Sequence, residues 1–266
     1  MGILEEICAE RRADAARSKR ERPPSSLERS GGAIRPSFAA RQSATRQSAE
    51  ALLIAECKRA SPSRGLLIGD YDPVALASSY ERGGAGMLSV LTEPRRFLGA
   101  DAHLTAIRAA VGLPLLRKDF IVDPYQVLEA WSIGADAVLL IAAALSEAHI
   151  RELAAAAREL GLDILAEIHE ESELEKAMAA RPGALGVNAR DLRDFSVDGG
   201  RARAMLASLP EGPLRVAESG MRKPEDAAVL RAAGYEGFLV GEALATAADP
   251  EARTREFAAA LSEGKN

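Results

Sequence analysis

The sequence contains little cysteine and little histidine, and this scarcity limits the chemistry that the protein can support. Two of its 266 residues are cysteines and three are histidines. Cys8 and Cys57 are too few and too far apart to indicate a disulfide framework or a zinc site. No histidine lies near a cysteine or a second histidine along the chain, so we expect no metal centre.

Long apolar runs and a strong charge imbalance are also absent. No stretch reaches 18 consecutive apolar residues, so we expect no membrane span. The first twelve residues contain three glutamates and no apolar segment of a secretory signal, so a cytoplasmic location is expected. The net charge of −5 is mild and the basic residues are scattered, so we expect no nucleic-acid partner. No exposed apolar stripe is evident, and a monomer is therefore expected.

What the sequence does contain is a regular alternation of short apolar runs with amphipathic stretches. The hydrophobic fraction of 47% is ample for a core, and 266 residues suit an α/β barrel. Eight strand–helix units predict an all-parallel sheet with right-handed crossovers. The predicted strands are 52–58, 86–93, 114–120, 137–143, 163–169, 184–190, 214–220 and 237–244. The predicted helices are 72–83, 101–111, 123–133, 146–160, 170–180, 198–208, 224–234 and 249–262.

Such a sheet can close into a barrel or stay open and doubly wound. An open sheet normally carries a G-x-G-x-x-G turn after its first strand, and residues 56–65 lack that spacing. We therefore predict an α/β fold, a (β/α)₈ TIM barrel over residues 51–266. The first fifty residues differ in composition, and the spacing of Ile3, Leu4 and Ile7 predicts a helix there. Residues 1–50 are either a frayed leader or an N-terminal extension packed on the barrel.

Polar residues stand at the carboxyl ends of the predicted strands, where barrel enzymes place their active sites. Glu56 and Lys58 share one face of the first strand and leave Cys57 on the other, because strand residues alternate sides. Facing the helices, such charges would be buried without partners, at a cost of several kcal/mol each. Facing inward, they meet one another and a substrate, although a purely structural ion-pair network is the alternative. The set comprises Glu56, Lys58, Lys118, Glu167, Asn188, Arg190, Glu218 and Ser219.

Glycines at the ends of the last two predicted strands indicate a phosphate site. Gly220 and Gly241 allow backbone N–H groups to approach an anion, and these two loops commonly bind phosphate in barrels. Each glycine alone is compatible with simple turn geometry. Together they favour a phosphorylated ligand, with further contacts from Lys58 or Ser61 and from the backbone N–H of Glu242, whose side chain must point away.

Four other residues are not expected to take part in the chemistry. Cys57 is expected to pack against helices rather than act as a nucleophile. His103, His149 and His169 show no evident partners, and His169 is interpreted as a polar residue that closes the fifth strand.

The motifs of this chain resemble those of the indole-3-glycerol-phosphate synthase family over nearly the whole length. The most specific motifs together are E-C-K-R-A-S-P-S-R-G at 56–65 and G-V-N-A-R-D-L at 186–192. The start of the chain, I-L-E-E-I at 3–7, also looks like the N-terminal extension of that family. Further matches are L-R-K-D-F at 116–120, D-P-Y-Q at 123–126, A-V-L-L-I at 137–141, E-I-H at 167–169, E-S-G at 218–220 and V-G-E at 240–242.

The resemblance implies a reaction and a set of residues. The substrate would be 1-(2-carboxyphenylamino)-1-deoxyribulose 5-phosphate, which is closed, decarboxylated and dehydrated to indole-3-glycerol phosphate without metal or cofactor. Leu98 and Ala189 depart from the family pattern and put one ring contact and one polar contact in question. By motif, the catalytic set is Glu56, Lys58, Lys118, Glu167, Asn188 and Glu218. The substrate-binding set is Ser61, Phe97, Phe120, Arg190 and Ser219, and the phosphate-binding set is Lys58, Gly220, Gly241 and Glu242.

The chemistry of ring closure suggests a division of roles. The ketone oxygen must gain a proton, and Lys118 is expected to supply it, with a pKa lowered by burial or by Lys58. Lys58 would protonate the departing hydroxyl, and Glu56 or Glu167 would remove the ring proton. Asn188 and Arg190 would orient the sugar hydroxyls and the carboxylate.

Three other functions are weighed against this reading. A phosphoribosylanthranilate isomerase would use a first-strand cysteine with a sixth-strand aspartate, but Cys57 has the wrong parity and Asn188 stands in place of the aspartate. A Schiff-base aldolase could use Lys118. A non-catalytic phosphosugar-binding barrel would not need two lysines and three glutamates at its strand ends.

Overall fold

Eight parallel strands form a closed barrel, as the apolar rhythm predicts. The computed structural model describes residues 2–38, 51–191 and 196–262. Each strand pairs with its neighbours in sequence, and β1 closes the barrel against β8. The strands are β1 Leu52–Cys57, β2 Met87–Leu91, β3 Leu115–Lys118, β4 Ala137–Ile141, β5 Asp163–Ile168, β6 Ala184–Asn188, β7 Leu214–Glu218 and β8 Gly237–Val240.

Helices follow the strands, and their starts show why the sequence places them there. Asp72 and Asp123 accept hydrogen bonds from the first-turn N–H groups, and a proline follows each of them where a missing N–H costs nothing. The helices are α1 Ile3–Glu21, α2 Pro73–Arg82, α3 Asp101–Ala110, α4 Pro124–Ser132, α5 Glu147–Glu159, α6 Leu174–Met178, α7 Arg201–Met205, α8 Pro224–Ala233, α9 Glu242–Ala245 and α10 Pro250–Ser262.

Three predicted elements differ from the observed ones by three or more residues at one or both ends, whereas the other bounds agree within two residues. The predicted strand 237–244 is wrong beyond Val240, because the chain leaves the sheet at Gly241 and turns into α9. The predicted helices 170–180 and 198–208 are shorter than expected. In each of them part of the length is a three-residue 3₁₀ turn, Glu171–Glu173 or Leu206–Ser208. The apolar periodicity alone does not separate these tighter turns from α-helix.

Strand residues alternate between the barrel interior and the helical layer. Leu52 and Ile54 pack inside with Leu116 and Leu165, whereas Cys57 packs outside against the helices. The predicted outward parity of Cys57 is thus confirmed, and burial raises the pKa of its thiol far above the ordinary value. This geometry leaves Cys57 without access to the barrel mouth.

The described part of the N-terminal extension wraps one side of the barrel. Along that side, Tyr125 donates its hydroxyl hydrogen bond to the carbonyl oxygens of Ser18 and Arg22, at 3.1 and 2.8 Å. At the amino-terminal end of the barrel, Ser37 bonds to Asp163, the first residue of β5, and Phe38 is fully buried in the inner cluster. Residues 39–50 lie outside the described residues, so the boundary at residue 50 stays a prediction.

None of the helices in the described ranges is both long enough and apolar enough to cross a membrane.

Candidate active site

Five ionisable side chains meet inside the carboxyl end of the barrel, and we call them the charge cluster: Glu56, Lys58, Lys118, Glu167 and Glu218. Lys118 Nζ lies 3.2 Å from Glu167 Oε2 and 3.2 Å from Glu218 Oε2. Lys58 Nζ lies 2.8 Å from Glu56 Oε1. Six of the residues predicted from strand ends therefore converge, since Asn188 pairs in register with Glu218 on the adjacent strands.

Strand register and one glycine make room for this cluster. Gly186 of β6 lies beside Glu167 in register and faces the same interior. A Cβ placed on Gly186 would overlap Oε1 of Glu218. The absence of a side chain at Gly186 therefore lets the Glu218 carboxylate occupy the barrel interior next to Lys118.

The electrostatics of Lys118 overturn one expectation. Burial disfavours its charged form, but the carboxylates of Glu167, Glu218 and Glu56 outweigh that effect and raise the pKa of Lys118 well above its ordinary value. The expected lowering of this pKa was wrong, because the sequence could not show that three carboxylates surround one ammonium. Lys118 therefore stays protonated at neutral pH, which also disfavours it as the amine nucleophile of a Schiff-base aldolase.

The three carboxylates do not share one protonation state. Burial opposes ionisation of Glu167, yet Lys118 and His169 outweigh it and lower its pKa. Glu56 likewise has a lowered pKa, since Lys58 and Lys118 outweigh its burial. Burial raises the pKa of Glu218 to about 8; Lys118 opposes this shift and the Glu167 carboxylate adds to it. Carboxylates whose pKa values are pushed apart in this way are typical of sites that hold a base beside an acid.

A cavity of about 340 Å³, the phosphate-side cavity, opens above the charge cluster towards the loops after β7 and β8. A Cβ on Gly241 would overlap Glu56 Oε1 and lie 2.7 Å from Lys58 Nζ, so any larger residue would push the ends of these two side chains out of place. Ser219 and Gly220 both have positive φ, 65° and 80°, which turns the chain sharply out of β7. Two further cations that the sequence analysis missed, Arg64 and Arg222, also line the cavity. Glu242 pairs with Arg64 at 2.9 Å.

Arg190 reaches this mouth from the end of β6. Its backbone N–H donates to Asn188 Oδ1 at 2.9 Å, and its guanidinium donates to Ser63 Oγ at 2.8 Å. The predicted contact residue Ser61 is instead buried in a two-stranded hairpin and does not border the phosphate-side cavity in the described structure. Leu192, the last residue of the motif at 186–192, lies outside the described residues.

Two aromatic rings line the opposite wall of the mouth. Phe97 and Phe120 pack with ring centroids 6.4 Å apart, beside a cleft of about 60 Å³ that also touches Lys118 and Asn188. Leu98 has a φ of 52° and is 38% exposed, so its side chain points towards solvent. In the described structure the aromatic wall is formed by Phe97 and Phe120, and the effect of Leu98 on ring binding stays a prediction.

The leader is tied to the site by a buried ion pair that the sequence analysis did not find. Arg11 of α1 donates to both carboxylate oxygens of Asp119, at 3.0 and 2.6 Å. Asp119 also accepts hydrogen bonds from Thr92 Oγ1 at 2.7 Å and from the backbone N–H of Phe120 at 2.8 Å. Asp119 thus holds Phe120 and its neighbour Lys118 against α1.

His169 is a further residue whose place the sequence analysis missed. It lies two positions after Glu167 and therefore shares the inward face of its strand, a signal that alternation alone could have supplied. The ring stands between Glu167 and Glu173.

Comparison with known proteins bears on the origin of this arrangement. Residues 4–257 match the family model described as indole-3-glycerol phosphate synthase. The chain belongs to this family. It is 43% identical to indole-3-glycerol phosphate synthase of Azospirillum brasilense over 97% of this chain and 99% of that protein. It is 47% identical to the protein of the same name from Leifsonia xyli subsp. xyli, over 96% and 97% of the two chains.

Solved structures of lower identity support the barrel architecture alone. The chain superposes on 3-hexulose-6-phosphate synthase from Salmonella typhimurium with a TM-score of 0.65 and 16% identity, over 80% of this chain and all of that one. Orotidine 5'-phosphate decarboxylase from Pyrococcus horikoshii OT3 gives a TM-score of 0.61 and 14% identity, over 79% and 99% of the two chains. The family model matches the family that the sequence motifs resemble. A phosphoribosylanthranilate isomerase would need a nucleophilic cysteine at the barrel mouth, and Cys57 packs outside the barrel.

Proposed function

We infer that the chain catalyses the reaction of its family, and we propose that the charge cluster performs it. The reaction closes 1-(2-carboxyphenylamino)-1-deoxyribulose 5-phosphate, expels CO₂ and water, and yields indole-3-glycerol phosphate. The single observation that carries the proposal is the contact of one ammonium with two acidic groups of opposite character. Lys118 Nζ lies 3.2 Å from the ionised carboxylate of Glu167 and 3.2 Å from the neutral carboxyl group of Glu218. That pairing supplies acid and base at one point in a buried site.

The substrate fits the two sides of the mouth. Its phosphate would occupy the phosphate-side cavity, against the backbone at Gly220 and Gly241 and within reach of Lys58. Its carboxyphenyl ring would lie against Phe97 and Phe120 in the apolar cleft. The reacting ketone then falls between these anchors, next to Lys118.

Ring closure places negative charge on the ketone oxygen, and Lys118 would supply a proton there. An ammonium with a raised pKa is charged when ring closure begins, and the alkoxide-like oxygen is basic enough to accept its proton. Loss of CO₂ then restores aromaticity. Lys58 would protonate the departing hydroxyl, and Glu167, ionised at neutral pH, would take the ring proton. Ser219, Asn188 and Arg190 would orient the sugar.

A turnover assay tests the proposal directly. Purified protein is mixed with the substrate in the presence of EDTA, and indole fluorescence is followed together with released CO₂. Matched appearance of both products is expected. Lys118→Ala should lower kcat by about 10²–10⁴-fold, whereas Lys176→Ala, on α6 away from the mouth, should not. Near-normal turnover in Lys118→Ala would remove the acid assignment, and tight binding without product would favour a non-catalytic barrel.

We also propose that the chain acts as a monomer in the cytoplasm, as its charge and polarity suggest. Analytical ultracentrifugation at working concentration would test the first part, and a mass twice that of the chain would refute it.

A further inference from the structure

A second cavity, the leader cavity, lies beside the charge cluster but is separate from the substrate mouth. Its volume is about 450 Å³, and it lies between the start of α1 and the loops after β4, β5 and β6. Residues Ile3, Leu4 and Cys8 line it from α1, and Glu173 lines it from the other side. Within the part of the chain that the structure describes, it shares no lining residue with the phosphate-side cavity or the aromatic cleft.

His169 is the wall between this cavity and the charge cluster. Its ring is 7% exposed, and neither ring nitrogen has a hydrogen-bond partner among the described residues. Nε2 lies 3.5 Å from Glu167 Oε1, and Nδ1 lies 3.7 Å from Glu173 Oε2. Glu173 is fixed there because it also accepts the backbone N–H of His169 at 2.7 Å. A buried imidazole without hydrogen bonds is unusual and calls for a reason.

The surroundings of His169 keep a proton available to it. Burial disfavours the charged ring, but the carboxylates of Glu173 and Glu167 outweigh burial and raise the pKa of His169. An approach of about 0.5 Å at each nitrogen would bring both contacts to hydrogen-bond length. The other charged groups around it are Glu218 in the barrel and Glu5, Arg12, Glu170 and Asp191 around the leader cavity.

The number of protons consumed in the proposed reaction suggests a role for His169 and Glu173, provided that the proposed function holds. In one turnover the ketone oxygen takes a proton from Lys118, and the departing hydroxyl takes a second from Lys58. Glu167 recovers only one. The difference of one proton is the one that replaces the CO₂ lost from the substrate carboxylate, so one proton must enter from solvent in each cycle. While substrate fills the mouth, that side of the site is closed to water.

We propose that Glu173, His169 and Glu167 form a proton path that resets the charge cluster from the leader cavity. Glu173, protonated from water in the cavity, gives its proton to Nδ1 of His169. Glu167 gives the proton it took from the substrate ring to Lys118, 3.2 Å away. The imported proton then passes from Nε2 of His169 to Glu167 and on to Lys118. From Lys118 it passes through Glu56 and reaches Lys58, whose Nζ lies 2.8 Å from Glu56 Oε1. Only N–H and O–H bonds form and break, and water is the proton source. His169 touches no substrate in this scheme and acts as a relay.

The relay predicts a kinetic signature that structural damage would not produce. Lys58 and Lys118 begin protonated and Glu167 begins ionised, so the first turnover needs no imported proton. In His169→Asn the first equivalent of indole product should form at the wild-type rate, and later turnovers should be slower by about tenfold or more. Added imidazole should restore the later turnovers. Glu173→Gln keeps an oxygen for the backbone N–H of His169 and should show the same burst.

Two matched controls and three contrary outcomes complete the test. His149→Asn on exposed α5 and Glu170→Gln beside Glu173 should both keep wild-type steady-state rates. Equal slowing of the first and later turnovers in His169→Asn would mean that the ring only supports Glu167, and would overturn the path. An unchanged steady state in both His169→Asn and Glu173→Gln would also overturn it. A wild-type protein that forms no product would refute the proposed function and the path with it.

Discussion

The buried pair of Arg11 and Asp119 should decide how firmly the leader is held on the barrel. Asp119 has no exposed side-chain surface, and it also contacts Arg117 at 3.4 Å. Replacing Asp119 with Ala leaves two guanidinium groups without this carboxylate. Removing one partner of a buried pair typically costs about 3–5 kcal/mol. Arg11 keeps Asp14, and Arg117 keeps Glu129, so the lower end, about 3 kcal/mol, is expected.

Equilibrium unfolding in urea measures this cost, and Trp131, the single tryptophan, reports it by fluorescence. Trp131 is a suitable probe because its carbonyl accepts a hydrogen bond from Arg29 of the leader. A loss of about 3 kcal/mol corresponds to a fall in Tm of roughly 6–12 °C in a chain of this size. Lys19→Ala, which removes a partly exposed pair with Asp123, should cost only about 0–1 kcal/mol.

The pH dependence of the same variant has a definite sign. Burial raises the pKa of Asp119, but Arg11 and Arg117 outweigh it, so the folded pKa lies below the unfolded value of about 3.9. The unfolded chain therefore binds more protons in acid. The stabilisation from Asp119 is present above about pH 4 and is lost as pH falls through the folded pKa. Asp119→Ala within about 1 kcal/mol of wild type at pH 7 would refute the view that this pair secures the leader.

Three further variants test the site. Glu218→Gln mimics the neutral acid. The pKa of Glu218 is about 8 in the folded chain and about 4.3 in the unfolded chain, so wild type should lose stability relative to this variant as pH rises between those values. Urea titrations at several pH values measure this difference. A constant difference from pH 5 to 9 would contradict the raised pKa. Gly241→Ala places a methyl group against Glu56, and this overpacking costs about 1–3 kcal/mol. It should raise KM for the substrate about ten- to hundredfold in steady-state assays. An unchanged KM would argue against this wall as part of the phosphate site. Cys57→Ala should retain near-normal kcat and lose only about 1 kcal/mol on urea unfolding, whereas loss of turnover in a folded variant would revive a nucleophilic role.

Much of the fold was predictable because its signals are local. Alternating apolar runs and helices repeat eight times, and proline after an aspartate marks helix starts at 73 and 124. The strand end at 240 was not predictable by the same reasoning. Apolar residues continue through 243–245, and only the turn at Gly241 reveals that they form a helix.

The inward placement of Glu56 and Lys58 followed from the two-residue period of a strand, and Lys118, Glu167 and Glu218 stand at the carboxyl ends of predicted strands. The sequence by itself therefore indicated which charges would meet. It did not determine their protonation. The pKa of Lys118 rises and those of Glu167 and Glu218 diverge because each depends on distances between strands that are far apart along the chain.

Long-range partners were decided by tertiary structure for the same reason. Arg11 and Asp119 are 108 positions apart, and the sequence around either residue does not indicate that the two form an ion pair. His169 lies two residues from Glu167 and four from Glu173 along the chain, but the leader cavity beyond them exists only after α1 has packed on the barrel. The two-residue period of a strand determines the face on which a residue lies. Protonation state and proton transfer depend on which groups that face contacts in the folded structure.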